Sequence, residues 1–176
     1  MEYGTFEAIL SRLHKIKSEE EKAFRSRLRI LRDINVPNVR RPGKGARVDY
    51  RFSDLFITHL GLIYDKAGFP PSIIKEIVEE IEKPDKSGNL LDTIRESSLD
   101  LWYRLTTSKP NAEGKSDGIT LELRTLSDHF NYLKTQEIDP QNHDAPVSWS
   151  MVVSYSLVNV TAAYRDCRKA APKYEV

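Results

Sequence analysis

The sequence predicts an α+β fold in two parts. Residues 1–84 form helices interrupted by one basic hairpin, and residues 88–176 form a small domain of a helix, two antiparallel strands and a closing helix. Three observations carry this. Apolar residues recur at helical spacing through most of the first 80 positions. The stretch Lys83-Pro84-Asp85-Lys86-Ser87-Gly88 breaks the pattern with turn-forming residues. Beyond it, Ile119 to Leu126 alternates with period two, and Val147 to Val160 is rich in β-branched and aromatic residues.

Element by element, Phe6, Ile9, Leu10 and Leu13 mark a short amphipathic helix over 5–16. Ser18 and Glu21 have the spacing of a capping box and open a second helix through Phe24, Leu28 and Leu31, ending near Ile34. Asn35 is suited to the C-cap, and Pro37 prevents continuation. The Pro42-Gly43-Lys44-Gly45 turn, flanked by short extended segments, reads as a hairpin. A third helix covers about 53–66, with Leu55, Phe56, Leu60 and Ile63 inward, and Gly68 ends it. Pro70 and Pro71 introduce a fourth, whose core face is Ile73, Ile74 and Ile77. In the second part, residues 89–106 carry Leu90, Leu91, Ile94, Leu99, Trp102 and Leu105 and are expected as a helix. Strands at 119–126 and from 147, and a last helix near 161–168, complete the domain.

Composition excludes several classes. Of 176 residues, 39% are hydrophobic and 30% charged, the profile of a globular chain rather than a disordered or fibrous one. No apolar run nears the roughly 18 residues needed to cross a bilayer. The opening Met-Glu-Tyr-Gly-Thr-Phe-Glu does not resemble a signal peptide. One cysteine, Cys167, rules out an internal disulfide and a cysteine metal cluster. The expectation is a cytoplasmic, nucleoid-associated protein with no membrane partner and no cofactor. Although the net charge is only +1, it is unevenly spread: residues 1–52 hold 13 Lys/Arg against 7 Asp/Glu, whereas the remainder holds 14 against 19. Such asymmetry is the footprint of a phosphate-binding part joined to one that is not.

Helix, turn, helix, hairpin, helix, helix is the order of a winged helix-turn-helix. Tyr50 is followed after four residues by Asp54-Leu55, and Gly68-Phe69 lies fourteen residues beyond Asp54, followed by Ile74-Lys75. Upstream runs Leu28-Arg29-Ile30-Leu31-Arg32-Asp33-Ile34-Asn35-Val36, and Gly45 and Arg47 fall in the turn region. In these features residues of about 10–80 resemble the MerR-type transcription regulators. The family's paired recognition-helix tyrosines are Ile30 and Leu31 here, and its long coiled-coil helix is replaced by the Pro84–Gly88 break. The resemblance implies binding to double-stranded DNA, with the second helix in the major groove and the hairpin on the flanking backbone. Candidate contacts are Arg25, Ser26 and Arg29 on the helix, and Arg40, Arg41, Lys44, Arg47 and Arg51 around the hairpin. A homodimer formed through residues 88–176 is expected, because one such domain supplies little contact for a unique site. The alternative is a protein-interaction module on the same fold, contacting RNA polymerase or another regulator. It draws on Glu19, Glu20 and Glu21, which repel phosphates at the start of the second helix.

Enzymatic chemistry has no positive signal. His14, His59, His129 and His143 show no metal-ligand spacing, and the neighbours Asp128 and Asp144 read as loop residues. There is no phosphate-cradling glycine loop or nucleophile elbow. Cys167 reads as a small buried residue, and Trp102, Tyr103, Trp149 and Tyr155 as core aromatics.

Overall fold

The computed structural model describes residues 1–39, 47–82, 93, 101–108, 119–125 and 152–174. The chain forms two compact units, one of residues 1–93 with 162–176 and the other of residues 94–161.

The first unit is built from helices. Helix α1 (Tyr3–Leu13) leads through a 3-10 turn (Ser18–Glu20) into α2 (Glu21–Asp33); α3 (Phe52–Lys66), α4 (Pro71–Glu82) and α5 (Val160–Ala170) follow. Helix α3 is the centre: ten of its fifteen residues are buried, among them Leu55, Phe56, Leu60 and Tyr64. Its neighbours each contribute one apolar stripe. These are Phe6, Ile9 and Leu10 of α1, Phe24, Leu28 and Leu31 of α2, and Ile74, Ile77, Val78 and Ile81 of α4. From α5, Ala163, Tyr164 and Cys167 are buried. Tyr164 meets Phe52 and Phe56 edge-on, with ring centroids 5.4 and 6.0 Å apart, a favoured aromatic geometry. The closing helix, grouped by sequence with 88–176, therefore packs among the N-terminal helices.

Local chemistry fixes the joints. The cap belongs to the 3-10 turn rather than to the expected Ser18–Glu21 pair: the Glu20 carboxylate accepts from the Lys17 amide at 3.0 Å, and α2 itself opens without a side-chain cap. Asn35, just past α2, has φ 62° and supplies the left-handed exit expected of it. At α3 the cap is likewise shifted: the Arg51 amide donates to the Asp54 carboxylate at 2.7 Å, and Ser53 lies inside the helix. Gly68 adopts φ 88°, and Phe69 behind it meets the Tyr64 ring edge-on at 5.7 Å. Gly61 allows a close crossing: a Cβ there would lie 3.2 Å from Val36 and 3.4 Å from Leu31.

In the second unit the backbone forms a three-stranded antiparallel sheet of β1 (Leu101–Ser108), β2 (Ile119–Thr125) and β3 (Val152–Asn159), in the order β2-β1-β3. Leu101 pairs with Thr125 and Thr107 with Ile119; on the other edge Trp102 pairs with Asn159. The register shifts between Thr107 and Ser108.

The expected α+β fold does not hold. The first unit is helical, with no strand among its described residues. Residues 47–50, assigned to the hairpin's second arm, form no strand. The Tyr50 amide instead donates to the Met1 carbonyl at 2.9 Å, and the Met1 ammonium donates to the Asp49 carboxylate and the Tyr50 carbonyl. Tyr50 stacks on Phe6 of α1 with centroids 4.2 Å apart. Backbone groups engaged this way are not open to a strand partner. The domain of one helix and two strands is also wrong, because β1 occupies part of the expected 89–106 helix. Leu101-Trp-Tyr-Arg-Leu-Thr-Thr-Ser108 is rich in aromatic and β-branched residues, and pairing on both edges outweighs its weak helical spacing. The rest of that segment, the turn at 40–46, and Trp149, His129 and His143 lie outside the described residues.

Candidate nucleic-acid interface

Helix α2 has two unlike faces. Spacings of four and three residues turn Phe24, Leu28 and Leu31 into the core. The same geometry leaves Lys22, Arg25, Ser26, Arg29 and Arg32 on the outside, all exposed. Ile30 is also outside, 45% exposed, so an apolar residue sits among the cations.

The structure treats the sequence-predicted contacts differently. Arg29 is exposed and makes no ion pair among the described residues. Arg25 is committed. Its Nε donates to Glu7 of α1 at 2.7 Å, and its Nη2 lies 3.5 Å from Glu21, one turn back on α2. The Ser26 hydroxyl donates to the Lys22 carbonyl of its own helix at 3.0 Å. Arg47 reaches Glu2 at 2.8 Å, with both side chains more than 70% exposed; such a pair contributes little and yields readily. Arg51 is exposed at the start of α3. Beneath it, burial raises the Asp54 carboxyl above its usual range, opposed by the Arg51 amide bond and charge. Arg40, Arg41 and Lys44 lie outside the described residues. The outward face thus unites Arg25, Ser26 and Arg29, while Arg47 is tied to residue 2.

Sequence reasoning missed three components of this surface. Lys22 and Arg32 continue the face of Arg25 and Arg29, and their spacing alone could have found them. Glu7 could not be found that way, because its partner lies eighteen residues along the chain and on another helix.

Away from this face, His59 Nδ1 and His14 Nε2 approach to 2.9 Å and share one hydrogen bond. The rings meet edge-on at 4.8 Å. Burial pushes both imidazoles down to about 4, and for His14 the His59, Lys66 and Arg27 charges add to the effect. The pair ties the end of α1 to α3. Among the described residues no three metal-ligating side chains converge. Cys167 is buried, and burial pushes its thiol up to about 12, which leaves it unreactive. No helix among the described residues is long and apolar enough to cross a membrane.

The chain matches no protein-family model, and no curated protein matches it.

Proposed function

We propose that the protein is a DNA-binding transcription regulator that lays the outer face of α2 against double-stranded DNA. The observation that carries this reading is that face: Lys22, Arg25, Arg29 and Arg32 are exposed along one side of a helix whose other side is in the core. Consecutive cations at helical spacing follow a groove and displace counterions from its phosphates. The positive balance of residues 1–52 against the negative remainder agrees with it. So do the motif spacings resembling MerR-type regulators, although the hairpin strands that such regulators use have no counterpart among the described residues. Arg47 and Arg51 are further exposed cations of the same unit, and a homodimer through residues 88–176 would double the contact with DNA.

A second reading, a module that contacts RNA polymerase or another regulator, is favoured by one observation. Ile30 is exposed on the outside of the same helix whose Arg25 is already held by Glu7 and Glu21. Fluorescence anisotropy of a labelled random-sequence duplex, titrated with the whole chain at several salt concentrations, separates the two. The proposal expects micromolar or tighter binding that weakens steeply as salt rises. No binding even at low salt would refute it and select the interaction module.

A further inference from the structure

Arg25 is restrained more firmly than an exposed arginine ordinarily is. Its side chain is 62% exposed, and the Glu7 side chain that holds it at 2.7 Å is 20% exposed. Burial and the charge of Glu7, one turn along α1, raise the pKa of the Tyr3 hydroxyl. To reach a phosphate, Arg25 would have to give up its charge-assisted hydrogen bond to Glu7. Glu21 adds a second carboxylate 3.5 Å from the same guanidinium. Two anions on one cation give the Arg25 position a local charge opposite to that of Lys22 and Arg29.

We infer that Glu7 restrains Arg25 from phosphate contact, so that α1 carries a built-in competitor that weakens DNA binding by α2. This rests on the DNA-binding reading above. Glu7 is the positioning residue; Arg25 is a latent contact, and Arg29 and Lys22 are the open ones.

The test is a double-mutant cycle of Glu7→Gln and Arg25→Ala, read by anisotropy with a random-sequence duplex across a salt series. Far-UV circular dichroism reports that each variant is folded. Glu7→Gln keeps the shape but removes the charge. Its affinity is expected to rise several-fold, and its plot of log K against log salt to steepen by about one phosphate contact, a slope change near 0.9. In Glu7→Gln/Arg25→Ala that gain and the added slope should disappear. Unchanged binding by Glu7→Gln overturns the restraint. So does a gain that survives in the double variant, because removal of a negative charge, rather than release of Arg25, would then explain it. If the parent chain and Glu7→Gln both fail to bind DNA, the DNA-binding reading falls and the restraint with it; binding by the parent with no effect of Glu7→Gln sinks the restraint alone.

Discussion

Acid titration probes the tie between α1 and α3. His14 and His59 share a hydrogen bond that needs at least one ring nitrogen without a proton. Both imidazoles drop from an ordinary 6.5 to about 4 in the folded chain, mainly because burial penalises the charged form. The unfolded chain therefore binds more protons between these values. Stability from the neutral pair is fully present above about pH 6.5 and is lost as the pH falls towards 4. At about 1.4 kcal/mol per unit, roughly 1 kcal/mol per imidazole is gone by about pH 5.5. His59 is the deeper of the two, and solvent reduces the share of His14, so we expect a loss of roughly 3 kcal/mol for the pair near pH 4.5. Asp54 and Glu82, whose carboxyls burial raises, act in the opposite direction and are common to parent and variant. Urea unfolding from neutral pH down to about 4.5, run on the parent and on His14→Gln/His59→Gln, isolates the imidazoles. The parent should lose stability more steeply. Parallel pH profiles for the two chains would refute the buried pair.

Other perturbations test the packing and the basic face. Leu10→Ala removes a fully buried side chain of α1 and should cost about 2–5 kcal/mol in urea unfolding. Gly68→Ala forces a side chain to φ 88° and should cost about 1 kcal/mol, although nothing crowds the site. At Gly61, Leu31 and Val36 leave no room for a long side chain, so Gly61→Leu should lose about 1–3 kcal/mol or more, while Gly61→Ala is close to neutral because better helix propensity offsets the tight contact. Arg29→Ala should leave unfolding unchanged and lower the salt dependence of duplex binding by about one contact; an unaltered salt dependence would remove Arg29 from the interface.

The helices of the first unit were legible because each buries one stripe and its spacing shows in the sequence. Phe24, Leu28 and Leu31 announce α2, and Ile74 and Ile77 announce α4. Gly68 and Asn35 were readable as left-handed exits, since few other residues tolerate positive φ. Capping was legible only to within a residue or two: Glu20 and Asp54 accept the amides at the starts of the 3-10 turn and of α3. The segment at 101–108 was misread. Its aromatic and β-branched residues satisfy either period over so short a run, and the two strands that pair with it come from 119–125 and 152–159. The candidate interface divides the same way: the outward cations of α2 follow from spacing, but the state of each does not.

By itself the sequence determined the number and faces of the N-terminal helices and the uneven charge, because these depend on residues close together in the chain. Tertiary structure alone decided that Tyr50 engages Met1 and Phe6 rather than a hairpin, that α5 packs against α3, that His14 finds His59, and that Glu7 holds Arg25. Each of these contacts joins residues eighteen or more positions apart, set by how helices cross and what they bury, and no local periodicity encodes such a meeting.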